Sequence, residues 1–431
     1  MENARKKVIV IGAGARGKCY TDIMKNSFDE FFEVVAVAEP IDDRRNYIKS
    51  KHGLQDGNCY PSWEELLARP KFADVVIIAT MDREHYAPAM AAIERGYDLL
   101  LEKPVAPTPK ECREIQRAAE EKGVFVLVCH VLRFTNFFIA LKNIIDSGEI
   151  GDVVNIQHTE GVGNVHQSHS FVRGNWGNSE ESSVMLLQKS CHDMDILAWL
   201  VGKKCKKAQS FGALTYFKRE NAPAGSPEYC IDGCPVGDTC PYNAKKLYLD
   251  RKNSDPGGSW FRTAATKLIA PTDEAVEEAL RTTQYGKCVF KCDNDVVDHQ
   301  IVNLEFEDKV CVSFTMSAFN TGGRSIRIMG TKGEIDARMK GNEIKVYNFE
   351  RGEWRDHDCN SLVLGDSITS GHGGGDTGII FALKELLEGK TSASVCGVGE
   401  SCDNHMIVFA AEKSRKTDRV VYLEDYMKEL D

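Results

Sequence analysis

Apolar positions in the first third of the chain fall into short unbroken runs separated by stretches with helical spacing. Val8-Ile9-Val10-Ile11, Val34-Val35-Ala36-Val37-Ala38, Val75 to Ala79, Leu99-Leu100-Leu101 and Phe125 to Cys129 show no polar alternation, the pattern of strands buried on both faces. His85 to Arg95 and Pro109 to Lys122 repeat apolar residues at helical spacing instead. Strand and helix therefore alternate up to residue 133, which predicts a doubly wound parallel sheet of Rossmann type. An amphipathic helix from Phe134 to Ser147 stops at Gly148, and the pattern then changes. His299 to Phe306 and Val310 to Ala318 read as paired strands around Glu307-Asp308-Lys309, with further strands at Ser325 to Met329 and Glu343 to Asn348. A second domain, 134–431, is expected to be α+β with an open, mostly antiparallel sheet. Its helices are read at Leu186 to Leu200, Ile379 to Leu387 and Cys402 to Arg415, and the glycine segment Gly371 to Asp376 reads as a hinge or a substrate-facing loop.

The first run feeds Gly12-Ala13-Gly14-Ala15-Arg16-Gly17, a glycine turn opening a helix whose N-terminal amides can hold a pyrophosphate. The second run ends in Glu39, about twenty residues past the last glycine, where a carboxylate meets a ribose 2'-hydroxyl. That carboxylate would repel a 2'-phosphate, so NAD is expected over NADP. Glu102-Lys103-Pro104 follows a further strand and places Lys103 at the edge where open parallel sheets bind ligands.

Composition narrows the classes. The chain has 431 residues, 42% of them apolar, enough for two or three domains with cores of their own. Fifty-four basic against 64 acidic residues give a net charge of -10, with no basic cluster to suggest nucleic acid as a partner. The N-terminus shows no signal-peptide pattern and no apolar run approaches membrane-spanning length, so a cytoplasmic location without membrane attachment is expected.

In order along the chain, the Gly12 to Gly17 loop, Ala79-Thr80 with His85, Glu102-Lys103-Pro104, His130-Val131-Leu132-Arg133-Phe134 and His192 within a helix resemble the Gfo/Idh/MocA family of glucose-fructose oxidoreductases and inositol dehydrogenases. The resemblance implies that Ala79, Thr80, His85, Glu102 and Lys103 border the cofactor, that His192 meets the substrate hydroxyl, and that one face of the second sheet looks toward the nicotinamide. It also implies a homo-oligomer built through the other face. Dehydrogenases of the family carry an aspartate one turn before this histidine; here the position is Gln188, which can orient a substrate but cannot take a proton. Acid-base work then falls on Lys103 and His192, the candidate catalytic pair.

Helical spacing puts Gln188, His192 and Asp195 on one face. Ahead of them, residues 161–176 read as a loop whose His169, Arg173, Asn175 and Trp176 offer the imidazole, guanidinium, amide and indole groups that sugar binding uses. Tyr216 and Asp298-His299 are weaker candidates for the same pocket. The expected activity is NAD-dependent oxidation of a ring hydroxyl, at C3, of a sugar or glycoside. The loop Arg173-Gly174-Asn175-Trp176, the sequence Cys191-His192-Asp193, the cysteine-rich insertion and Gln188 also resemble the family's NAD-dependent glycosidases. The resemblance implies for these a redox-neutral cleavage: oxidation, loss of the C2 proton with expulsion of the C1 substituent, water addition and reduction. Simple sugar or cyclitol dehydrogenation is the alternative, and a non-catalytic NAD-binding regulator is the rival from another class.

The chain has fifteen cysteines, and five of them, Cys230, Cys234, Cys240, Cys288 and Cys292, fall in an insertion at about 221–295 where periodicity fades. Their spacing, Cys-x3-Cys-x5-Cys and then Cys-x3-Cys, permits structural zinc, buried free thiols or an iron-sulfur cluster, and does not choose among them.

Overall fold

The computed structural model describes residues 5–251, 258–359 and 373–430. Six strands, β1 (Lys6–Ile11), β2 (Phe32–Ala38), β3 (Cys59–Tyr60), β4 (Val75–Ile78), β5 (Asp98–Leu101) and β6 (Val126–Val128), form an all-parallel sheet in the order β3-β2-β1-β4-β5-β6. Val8 and Val10 enter one core and Ile9 and Ile11 the other, which is why β1 lacks polar alternation. The strand order reverses between β1 and β4, so their carboxyl ends flank the crevice where such sheets bind ligands.

One face of this sheet is covered from far along the chain. Ile379, Ile380 and Leu383 of helix Gly375–Leu387 pack with Val8, Val10, Ile77 and Leu100. Val128 also donates its amide to the Cys396 carbonyl at 3.1 Å, and helix Val398–Thr417 lies against helices Pro109–Lys122 and Cys191–Val201. Residues after 374, counted with the second domain by chain order, thus complete the core of the first. Gly371 and His372 of the expected hinge lie outside the described residues.

The second sheet has nine strands: β7 (Val153–Gly161), β8 (Cys205–Ala213), β9 (His299–Phe306), β10 (Cys311–Ser317), β11 (Gly323–Gly330), β12 (Gly333–Arg338), β13 (Glu343–Asn348), β14 (Glu353–Asp356) and β15 (Val421–Tyr422). Their order is β14-β13-β12-β11-β7-β10-β9-β8-β15, antiparallel except where β7 runs parallel to β10. The expected α/β architecture with an open, mostly antiparallel second sheet is present. β7 escaped the sequence reading because two of its inward positions are polar, His158 and Glu160, each 2% exposed. His158 Nε2 lies 2.8 Å from Asp193 Oδ1, and Arg324 bridges Asp193 at 2.7 Å and Glu160 at 2.7 Å, so the buried charges are mutually matched.

Two expectations are corrected. The helix read over Leu186 to Leu200 is broken into Met185–Gln188 and Cys191–Val201, with Lys189 and Ser190 between them. Residues 164–173 do not form an open loop: Asn164–Ser168 is helical and His169–Arg173 continues as one wider turn, because Gln167, His169, Phe171 and Arg173 are all buried. The insertion has a small core of its own, with Tyr248, Phe261, Val276 and Leu280 at its centre. It also touches the nucleotide end of the first sheet, where Arg44 Nε donates to the Lys267 carbonyl at 3.0 Å and the Ile269 amide to Asp43 at 2.7 Å. No helix among the described residues is long and apolar enough to cross a membrane.

Candidate active site

The glycine loop at the end of β1 is built for close backbone approach. Gly12 has φ +87°, and a Cβ there would sit 2.6 Å from the Ala79 carbonyl oxygen at the end of β4. At Gly17 a Cβ would lie 2.0 Å from the Gly12 oxygen, so helix Ala15–Ser27 can pack this tightly on β1 only with glycine there. Gly14, by contrast, faces space in which the nearest atom to an added Cβ is an Arg44 guanidinium nitrogen at 3.5 Å. No side chain caps the helix that Gly14 begins and no acidic residue stands in its first turn, which leaves its leading amides to an anion. Glu39, 4% exposed, accepts from the amides of Ala13 at 2.7 Å and Ile41 at 3.0 Å, holding its carboxylate at the loop. An open cradle, an uncapped helix start and a carboxylate after β2 fit a dinucleotide.

Arg16 of the loop turns away from that space. It bonds Glu102 Oε1 at 2.8 Å and Asp376 Oδ1 at 2.6 Å, while Tyr20 donates to Glu102 Oε1 at 2.5 Å. Burial pushes the Glu102 carboxyl up, but Arg16, Lys103 and Tyr20 outweigh it and hold the group below the usual carboxylate range. Glu102 thereby anchors the turn that presents Lys103, whose backbone amide it also accepts at 3.1 Å. His85, read from sequence as a cofactor neighbour, lies buried behind this turn with its ring nitrogens 2.6 Å from the Pro104 carbonyl and 3.2 Å from that of Thr80. Thr80 in turn donates its hydroxyl to the Glu84 carbonyl at 2.9 Å.

The broken helix has a direct consequence for Lys103. In an unbroken helix the Gln188 carbonyl would accept the amide of His192, four residues on. The break frees it, and Lys103 Nζ donates to it at 2.9 Å. His192 is the second residue of the helix that starts beyond the break, 6% exposed, its ring edge-on to His130 with centroids 6.1 Å apart. Cys191 beside it is a buried thiol pushed up to about 12 by desolvation, against the lowering effect of Lys103.

The side chain of Gln188 is engaged at both ends by neighbouring groups. Its Oε1 accepts from Ser182 at 3.0 Å and its Nε2 donates to the Trp176 carbonyl at 2.8 Å. Asp195 is engaged as well: both its oxygens meet Arg133 at 2.7 Å, and Asn404 adds a bond of 2.8 Å. Among the described residues, only His130, Asp195 and Cys396 gather three potential metal-ligand atoms within 4.8 Å of one another, and Arg133 already matches the Asp195 charge.

A buried carboxylate is tied to Gln188 through Ser182, from an unexpected place. Asp82 follows β4, is 4% exposed, and accepts from Trp176 Nε1 at 3.2 Å, Ser182 at 3.2 Å and Ser183 at 3.0 Å. Asn175 lies beside it, its Nδ2 3.6 Å from the sulfur of Met81. The sequence segment Met81-Asp82-Arg83-Glu84-His85 carried this signal, masked by the more familiar His85.

The remaining candidates are placed elsewhere by their contacts. His169 is stacked on Phe261 at 3.8 Å and bonded to the Tyr248 hydroxyl at 2.6 Å; burial holds its pKa well below the usual value. Arg173 donates to the carbonyls of Lys287 at 2.8 Å and Tyr242 at 2.7 Å inside the insertion. Asp298 accepts the amides of Thr215 and Tyr216 and the ring of His299, a local knot at the start of β9. Cys230, Cys234, Cys240, Cys288 and Cys292 supply no group of three sulfurs within 4.8 Å. Tetrahedral zinc at about 2.3 Å from each thiolate requires closer neighbours than that.

Residues 6–130 match the oxidoreductase family described by its NAD-binding Rossmann fold, and residues 142–362 match the C-terminal alpha/beta domain of the same family. The chain belongs to the Gfo/Idh/MocA oxidoreductase family. It is 23% identical over 400 residues to a putative oxidoreductase, YteT, of Bacillus subtilis strain 168, covering 89% of each chain. An inositol 2-dehydrogenase of Salmonella typhimurium strain LT2 is 25% identical over 217 residues, 50% of this chain and 59% of that protein. Among solved structures, a levoglucosan dehydrogenase in complex with NADH and levoglucosan superposes with a TM-score of 0.70 at 17% identity, over 97% of this chain and 99% of that one. An Agrobacterium radiobacter oxidoreductase bound to NAD+, L-tartaric acid and magnesium gives 0.69 at 14%, over 98% and 100%. At these identities the solved structures establish the shared fold.

Proposed function

We propose that this family member oxidises a ring hydroxyl of a sugar, cyclitol or glycoside, with NAD as its dinucleotide and the C3 hydroxyl as the reacting group. The observation that carries the reading is the delivery of Lys103 Nζ to the break between two helices, 2.9 Å from the Gln188 carbonyl and next to the start of the helix bearing His192. The loop at Gly12 to Gly17 and the Glu39 carboxylate would hold the dinucleotide, which supplies the hydride acceptor when bound. Lys103 takes the hydroxyl proton as the carbon-oxygen double bond forms and returns it in the reverse direction. His192 orients the same oxygen. Gln188 cannot relay a proton and instead ties Trp176 to the loop at Ser182, which also donates to Asp82. Asn175 and Trp176 border the substrate side through their contacts with Met81 and Asp82.

Purified protein is incubated with NAD and a panel of sugars, cyclitols and nitrophenyl glycosides, following NADH and nitrophenol together. NADH formation that disappears in Lys103→Met supports oxidation. Nitrophenol release without net NADH, also lost in Lys103→Met, extends the reading to redox-neutral glycoside cleavage. Tight NAD binding with neither product across the panel overturns it in favour of a regulator.

A further inference from the structure

The cysteine-rich insertion contains a pocket the proposed reaction does not use. Cys230, Cys234, Cys240 and Cys288 line it together with Arg173 and Tyr242. Arg173 is 0% exposed, and one of its nitrogens lies 3.5 Å from Cys230 Sγ. Two of its nitrogens are spent on backbone carbonyls or that sulfur, but Nη1 is buried with no hydrogen-bond partner. An orphaned guanidinium nitrogen among four cysteines marks a place for negative charge, since a buried cation needs a matching anion. Neutral thiols do not provide it; only thiolates would. A thiophilic metal changes the balance, because it deprotonates the thiols it binds and leaves a net negative cluster facing Arg173.

We propose that Cys230, Cys234, Cys240 and Cys288 are the thiolate ligands of a metal centre whose charge is offset by Arg173. The spacing favours an iron-sulfur cluster over a single zinc ion. No three of these sulfurs come within 4.8 Å of one another, wider than one tetrahedral ion holds its ligands, whereas a cluster of several atoms spreads its thiolates apart. Cys292 is outside the set; it does not line the pocket and its thiol is directed at the Cys288 carbonyl, 3.5 Å away. The role that follows is structural. The segment Cys230 to Cys240 has only short turns of its own, and a shared centre would tie it to Cys288 and, through Arg173, to the turn that leads into Asn175 and Trp176.

The full chain is purified without oxygen or chelator, with a second sample reconstituted with ferrous iron and sulfide, and iron, acid-labile sulfide and zinc are measured. Iron with sulfide, visible absorption that bleaches on dithionite, and loss of both in Cys234→Ser and Cys240→Ser but not in the exposed Cys311→Ser, is the expected result. Stoichiometric zinc lost in the same variants would uphold the four-thiolate site and overturn the cluster. Absence of any metal in both wild-type samples, with the four cysteines freely alkylated in folded protein, overturns the site itself. If the serine variants fail to fold, metal content and protease sensitivity of residues 221–295 in Arg173→Met against Arg173→Lys decide it: Met is expected to lose metal and expose the insertion, and Lys to retain most of both. Equal retention in the two overturns the charge role of Arg173.

Discussion

Arg16 and Asp376 stand 360 positions apart in the chain and 2.6 Å apart in the fold. The glycine loop that fits the dinucleotide is therefore braced by the first turn of helix Gly375–Leu387, and Glu102, next to Lys103, is held by the same guanidinium. The three residues couple the cofactor cradle, the lysine turn and the returning chain. Asp376→Ala should cost about 1.5 to 3 kcal/mol of stability, the range for a hydrogen bond to a charged group, and should weaken NAD binding although residue 376 lies outside the loop. Urea unfolding and a dinucleotide titration on the same variant check both; wild-type values in each would show the brace to be idle.

Lys103→Met should leave NAD affinity near wild type and lower turnover by about 100- to 10,000-fold, because the amine acts on a substrate proton and the dinucleotide is held by the Gly12 to Gly17 loop. His192→Ala should lower turnover in the same direction. Calorimetric binding beside single-turnover kinetics separates the two effects.

Glu39 is expected to set the cofactor. NAD should bind more tightly than NADP, and Glu39→Ser should narrow the gap, with loss of a charge-assisted pair to the ribose costing roughly 1.5 to 3 kcal/mol of NAD binding. Arg45 is already engaged with the Glu39 carbonyl at 2.5 Å, and Arg44 with Lys267, so neither is expected to reverse the preference. Dissociation constants for both cofactors, wild type against variant, test it.

Restoring the family's aspartate should harm this protein. Gln188→Asp removes the amide that donates to Trp176 and sets a negative charge near its carbonyl, so a stability loss of about 1 to 3 kcal/mol and reduced activity are expected. Asp82→Asn should lower turnover while sparing NAD affinity, since it removes the charge that holds Trp176, Ser182 and Ser183 together away from the glycine loop. A gain of activity in Gln188→Asp would contradict the arrangement.

Stability should fall on acidification in two stages. Burial lowers His130 to about 4 and His405 to about 3, so each is held neutral in the fold and their contribution is complete above the ordinary histidine range. As pH drops from about 6.5 toward 4 the unfolded chain binds protons the folded chain refuses, which for His130 alone amounts to about 2 kcal/mol at pH 5. Glu102 and Asp195 are held below the usual carboxylate range, Arg16 and Arg133 outweighing burial, so their contribution persists until the pH falls below about 4 and is then lost through their folded values. Urea midpoints from pH 7.5 to 3 should trace both declines; a flat profile from 7 to 5 would remove the histidine stage.

Local rules in the sequence were sufficient for five of the six strands of the first sheet, the two-residue β3 excepted, and for the glycine loop, Glu39 and the placing of Lys103 at a strand end. Apolar runs of about four or five residues, rich in β-branched side chains and bounded by turn residues, are too short for buried helices and fit strands buried on both faces, and a glycine turn after one of them needs no distant partner to be recognised. What the sequence could not determine depended on residues that satisfy one another across the fold. β7 was hidden because His158 and Glu160 are buried polar groups made tolerable by Asp193 and Arg324. The break at Lys189 and Ser190, which gives Lys103 its carbonyl partner, leaves no glycine or proline signature, and the groups that hold Gln188 beside it, Lys103, Ser182 and Trp176, are brought there by the fold. Arg16 read as a loop residue and proved a brace, since only the folded chain brings Asp376 beside it. Arg173 likewise looked like a sugar ligand until the packed insertion gave its hydrogen bonds to the Lys287 and Tyr242 carbonyls: composition names the chemical group, and packing decides which partner that group meets.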